Sequence, residues 1–315
     1  MLGVDILEGR PHAGAVTNPS VIAGTVVAID VLAALLPGGL GVLVLLAGVV
    51  NPSLTANALL IKNLTFFAGH TMVNVPIYLG AGLMYALLPI YTGRPWPASR
   101  AVVLAWLVTV ALVMLASFHH FYQDFAEPLA AQVVGEAASY ASSVPPLVVT
   151  IFGALLLVYR SDLRWRTTPV FLYAGVVAWT IGGYAAVIDA TPWLNQYLHN
   201  TLWVPAYFHV LMALGVLSFV LGAAYHVLPQ ITHRRLRDRI GRDAAALVCL
   251  GGGGLAVTWF ISGVLGQPRR YPMYLPELTG LTWIATAWAL CAVVGAVVLF
   301  VEIMRGVGGG VPRLR

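Results

Sequence analysis

Eight apolar runs, each long enough to cross a lipid bilayer, constrain this chain more than any other feature of its sequence. A helix rises about 1.5 Å per residue, so about 20 mainly apolar residues span the hydrocarbon layer. On that rule the spans fall at about 18–50, 54–90, 98–122, 134–160, 167–189, 199–228, 243–266 and 279–304. The first two are long enough to tilt or to begin as interfacial helix. Asn51-Pro52, Thr92-Gly93-Arg94-Pro95, Thr191-Pro192 and Gln267-Pro268 mark breaks between them. The residues are 59% hydrophobic and only 9% charged, against about 25% charged in soluble domains. The expected fold is an all-α polytopic membrane protein, a single transmembrane domain over 1–315.

Basic residues are retained on the cytoplasmic side of membranes, and their placement orients the chain. With eight spans, all of the 17 lysines and arginines except Lys62, Arg269 and Arg270 fall on one face, which is therefore read as cytoplasmic together with both termini. That anchoring explains the basic balance and gives no reason to invoke nucleic acid. Arg269 and Arg270, adjacent in GQPRRYP on the other face, ask for an anionic partner or a lipid headgroup. Cys249 and Cys291 sit inside apolar runs, outside any CxxC motif. The N-terminus lacks a charged-then-apolar signal with a cleavage site. It reads as a mature cytoplasmic tail opening a complete gene product.

Polar side chains within spans are costly and by default face the bundle interior. His12 and His233 lie in a tail and a loop, and His226 ends a span. His70, His119, His120, His199 and His209 remain, and topology places most of them in the outer layer of the membrane. Three neutral imidazoles in a dry site suit copper or zinc. Adjacent histidines on a helix diverge by about 100°, so His119 and His120 reach one ion only if their side chains fold together or the helix is distorted. Each buried histidine reads equally well as a packing residue. Their gathering beside Arg269 and Arg270 favours a metal centre with an anionic cofactor, such as a haem whose propionates meet the arginines. Within WVPAYFHVL, Tyr207 and His209 point about 200° apart and serve opposite neighbours.

The order and spacing of these motifs resemble subunit I of the haem-copper oxidases, most nearly the B-type enzymes. FFAGHTMVNVPIYLGAGLMYALLP is similar to the span carrying the first ligand of the copper called CuB, and SFHHFYQDFAEP to the next span with its histidine pair. YLHNTLWVPAYFHVLMALGVLSFVLGAAYHVLP is similar to the helix that holds both haems, and GQPRRYP to the propionate-binding loop. The resemblance covers nearly the whole chain and corresponds to the last eight of the family's twelve helices. It implies copper on His70, His119 and His120, a low-spin haem on His209, and propionates on Arg269 and Arg270 with His199 close by. Tyr207 stands where the family has the histidine of its high-spin haem. Tyrosinate can hold haem iron, or the phenol merely packs and that haem is absent.

Two further departures bear on function. Four residues after His70 the oxygen reductases of this type carry a cross-linked tyrosine, and the nitric oxide reductases usually a carboxylate; here stands Asn74. Tyr85, Ser142, Ser143 and Thr150 offer a hydroxyl path or helix-packing contacts, and no buried carboxylate is expected at the cytoplasmic entrance. The other axial ligand of the low-spin haem normally comes from the four helices that the resemblance does not cover, which implies a separate partner chain. The expected whole is a split catalytic subunit in a prokaryotic cell membrane. It would reduce dioxygen at a haem/CuB centre, with electrons from an outer donor subunit of CuA, cytochrome or cupredoxin type and protons from inside. Nitric oxide is the alternative gas, and a non-catalytic paralogue the alternative role.

Overall fold

The computed structural model describes residues 18–97, 99–121 and 128–308. His12 and the N-terminal tail, the stretch following Phe121 in SFHHFYQDFAEP, and Gly309 and Gly310 lie outside the described residues. The described residues form eight apolar membrane-length spans and no strand. These are α1 (Pro19–Val50), α2 (Ala58–Thr92), α3 (Arg100–Ala116) with a 3-10 turn (Ser117–Phe121), and α4 (Leu129–Ser142) running into α5 (Val144–Val158). They continue with α6 (Thr167–Asp189), the short α7 (Pro192–Leu198), and α8 (Trp203–His209) joined to α9 (Leu217–Thr232) by a π-helical segment (Val210–Val216). α10 (Asp238–Val264) and α11 (Thr279–Val307) complete the bundle.

The fourth span begins earlier than its hydropathy predicts and is broken at Ser143, because Pro145 and Pro146 supply no N–H and fit only the first turn of a new helix. The sixth is displaced toward the C-terminus. It begins after the Asn200–Thr201 turn and runs past Pro229 to His233, whose φ of 54° ends it. Helix approach depends on glycine where an aromatic ring must enter: Phe219 of α9 is wedged between Gly80 of α2 and Gly175 of α6, and a Cβ at either glycine would overlap its ring.

Side-chain bonds gather the arginine-rich connections at one end of the bundle. Arg94 donates to the carbonyls of Tyr159 and Arg160, Thr167 donates to Asp238, and the buried Glu302 accepts from Arg237 and Arg305. The histidine-bearing turn and the Arg269 loop lie at the opposite end. α1 and α11 bury the least of their surfaces, so much of each faces lipid or further helices.

Candidate metal and haem site

His70, from the middle of α2, meets the pair His119–His120 where α3 gives way to its 3-10 turn. The tightened backbone resolves the divergence expected of neighbouring histidines: the rings of His119 and His120 fold together with centroids 4.2 Å apart. One ligand atom from each of His70, His119 and His120 lies within 4.8 Å of the others. Metal–nitrogen bonds of about 2 Å in a tetrahedral site set nitrogen separations of about 3–4 Å, so small rotations close the set on one ion. His70 Nδ1 and His120 Nε2 are already 3.1 Å apart. The remaining nitrogens of these two rings, His70 Nε2 and His120 Nδ1, are buried without a hydrogen-bond partner. Neutral imidazoles crowded in this way, with spare acceptor capacity, fit a copper ion.

Ser139 of α4 orients the third ring. Its hydroxyl donates to the Gly135 carbonyl at 2.6 Å and accepts from His119 Nδ1 at 2.9 Å, which fixes the tautomer and puts the lone pair that could meet an ion on Nε2. Gly135 permits the approach, since a Cβ there would lie 2.8 Å from Phe118 Cβ and 3.0 Å from the His119 nitrogen. Gly135→Ala is therefore expected to push α4 off the turn and weaken copper binding about 10- to 100-fold, as loss of an orienting partner does at metal sites. Competition with a copper chelator measures it, while unchanged membrane yield would show that the bundle persists.

A cavity of about 110 Å³ lies against the triad, lined by His70, Asn74, Tyr78, His119, Ser139 and Trp179 among others. Asn74 spends its amide on the His70 carbonyl at 2.8 Å. Of the suggested hydroxyl path, Thr150 donates to the Pro146 carbonyl and therefore accepts from Tyr85 at 2.5 Å, while Trp106 donates to the Tyr85 oxygen. Ser142 and Ser143 line the cavity itself.

Tyr207 and His209 do face different surroundings. His209 is exposed on α8, and its Nδ1 donates to the Pro205 carbonyl at 2.7 Å, which makes Nε2 the ring nitrogen with the lone pair. Tyr207 is buried and does not line the triad cavity. Its phenol donates to Asp189 Oδ2 at 3.4 Å. Asp189 also bonds His199 Nδ1 at 3.1 Å, and Asn195 donates to the Asp189 carbonyl. Asp189 does not stand out in the sequence because it is one carboxylate at the end of an apolar run. Glu302, buried at the arginine-rich end and held there by Arg237 and Arg305, is a carboxylate where none was expected, and Asp30 is fully buried midway along α1.

The arginine loop is fastened to the start of this region by Arg269 N–H to the Asn200 carbonyl and Leu202 N–H to the Gln267 carbonyl. Arg269 Nε is buried without a hydrogen-bond partner. Burial, then the neighbouring Arg270, holds the Arg269 pKa below the usual arginine range. An anion docked here would relieve both costs, which suits a propionate.

A helical membrane bundle that converges three imidazoles on one point fits a metal-binding membrane protein. The sequence pattern of the family described as "Cytochrome C and Quinol oxidase polypeptide I" matches residues 3–298. The chain belongs to this family, the subunit I family of the haem-copper oxidases. It is 26% identical over 248 residues to a probable cytochrome c oxidase subunit 1 of Bradyrhizobium diazoefficiens, covering 79% of this chain and 36% of that one. It is 29% identical over 231 residues to a cytochrome c oxidase polypeptide 1 of Halobacterium salinarum, covering 72% and 38%. The chain thus spans less than half the length of these relatives. A solved heme-copper terminal oxidase dimer shares the fold with a TM-score of 0.85 and 19% identity, over 100% of this chain and 60% of that one.

Proposed function

We propose that this chain is the C-terminal, eight-helix part of a split haem-copper catalytic subunit that reduces dioxygen at the outer end of the bundle. The observation that carries the reading is the convergence of His70, His119 and His120 beside a cavity large enough for a small gas. Copper held there would bind and polarise the far atom of the gas. His209 offers Nε2 to a low-spin haem on the exposed side of α8, and a partner chain supplies the second axial ligand. Arg269 and Arg270 receive propionates, with His199 beside them. Tyr207 is the ligand offered to a high-spin haem: donation to Asp189 leaves lone pairs on its oxygen, and passing that proton to Asp189 Oδ2 would make it an anionic donor. Tyr85 and Thr150 carry protons toward the cavity from the arginine-rich end. Electrons enter from a CuA, cytochrome or cupredoxin-type subunit on the outer face of a prokaryotic cell membrane.

Two observations favour other readings. Asn74, engaged with the His70 carbonyl, supplies neither electron nor proton in the way of a tyrosine, which favours nitric oxide as the gas. The phenol of Tyr207, turned to Asp189 and away from the cavity, favours a copper-holding paralogue without the high-spin haem. Isolation through a tag on this chain tests the split arrangement. A co-purifying chain with about four spans and a mid-span histidine is expected, together with a six-coordinate low-spin haem spectrum that His209→Ala abolishes. An intact low-spin spectrum in His209→Ala would contradict the assignment. Replacing Arg269 and Arg270 together by Ala should lower haem content and shift its reduction potential, as loss of charge-assisted contacts to propionates requires; potentiometry of the variant checks it.

A further inference from the structure

We infer that a pocket at the arginine-rich end of the bundle, apart from the histidine triad, holds the phosphate of an anionic membrane lipid. The pocket has a volume of about 510 Å³ and is lined by Ile90 and Tyr91 at the end of α2, by Asp162, Arg164 and Arg166 on the loop before α6, and by His226 of α9. Its charge selects the ligand. Arg237, Arg239, Arg242 and Arg305 each pair with a carboxylate, whereas neither Arg164 nor Arg166 forms an ion pair among the described residues. Two guanidinium groups against the one carboxylate of Asp162 leave a single positive charge over. A phosphodiester, with one negative charge and oxygens that guanidinium groups grip in pairs, matches that balance.

The loop that carries these arginines is fastened at both ends. Before them, Arg94 donates to the carbonyls of Tyr159 and Arg160 at 2.5 and 2.6 Å, and Ser161 donates to the Val158 carbonyl at 2.9 Å. After them, Thr167 donates its N–H and its hydroxyl to Asp238. His226 is fixed as well. The Gln230 amide donates to the His226 carbonyl at 3.1 Å and to Nε2 of the ring at 3.0 Å, so Nδ1 carries the ring proton and donates to the Tyr91 oxygen at 3.0 Å. Tyr91 keeps its own O–H as a donor at the pocket wall.

Depth decides what carries the phosphate. Tyr159 and Trp165, both exposed, flank the arginines, and Trp165 meets Tyr173 of α6 edge to face with ring centroids 5.2 Å apart. Amphipathic rings of this kind collect where hydrocarbon gives way to headgroups. The pocket therefore opens at headgroup level. Ile90, exposed on its wall, offers an apolar contact that suits the glycerol end of a lipid and has no use for a free phosphate.

The isolated complex, reconstituted into phosphatidylcholine vesicles that contain phosphatidylglycerol with a photoactivatable group near its headgroup, tests the site. Labelling is expected at residues 90–91 and 159–166. Replacing Arg164 and Arg166 together by Ala should lower it about tenfold or more, on the scale of removing two basic groups from an anionic surface, while labelling of the other helices stays unchanged and shows the bundle intact. Arg164→Lys with Arg166→Lys should fall between, since it keeps the charge and loses the paired grip. Equal labelling in the unaltered and Ala proteins would overturn the site. Excess inorganic phosphate should leave the labelling in place; displacement by it as readily as by unlabelled phosphatidylglycerol would assign the pocket to a free phosphate and overturn the lipid as its occupant.

Discussion

His119→Ala is expected to leave the purified complex with less than about a tenth of its copper, because removing one of three ligands from a buried site leaves coordination incomplete and costs more than the 10- to 100-fold of losing an orienting partner. The effect should be this large because the site has little to substitute. His70 and His120 hold each other at 3.1 Å, and the nearby polar groups Asn74 and Ser139 are committed to the His70 and Gly135 carbonyls. Ser139→Ala offers a graded comparison, since it deletes the hydrogen bond to His119 Nδ1 and keeps the ligand. Metal analysis should order copper retention as unaltered, then Ser139→Ala, then His119→Ala. Equal copper in all three would remove the triad from consideration.

Tyr207 carries the second large expected effect. If its oxygen holds haem iron, Tyr207→Phe abolishes a high-spin ferric signal and spares the low-spin haem on His209, since the two side chains face opposite sides of α8. Tyr207→His restores an imidazole donor, which stabilises ferric iron less than a phenolate and raises the reduction potential. Asp189→Asn then serves as a control on the phenol's hydrogen-bond partner: it keeps the ring and removes the carboxylate that accepts from it. Paramagnetic resonance on these proteins, each with its partner chain, reads the result. A high-spin signal unchanged in Tyr207→Phe would place the ligand elsewhere, and no such signal in any of them would favour the paralogue without that haem.

Much of the fold was legible because hydropathy in a membrane is nearly a direct readout of span. The His70, His119–His120 and Arg269–Arg270 motifs were legible as well, since histidines and paired arginines are rare enough in apolar surroundings to stand out. What stayed hidden depends on three-dimensional approach. Ser139 looks like any small residue of a packed helix until Gly135 is seen to let α4 reach the turn. Asp189 gains meaning from His199, Asn195 and Tyr207, which lie across a loop from it. Asp30 is one carboxylate in a long apolar run, and its burial follows from a register with α2 that no local pattern encodes. The break at Ser143 was obscured because two prolines begin a helix as readily as they interrupt a span.

On the proposed function, the histidine triad holds the copper at which this chain, with its partner, reduces dioxygen. Dioxygen uptake by the complex isolated through this chain, supplied with a reduced electron donor, tests it most directly when unaltered and His119→Ala proteins are compared at equal low-spin haem content. Steady uptake by the unaltered complex and a loss of at least about 100-fold in the variant are expected, within the range by which catalytic metal and acid–base groups accelerate reactions. Equal uptake by the two proteins, or none by the unaltered one, would contradict it.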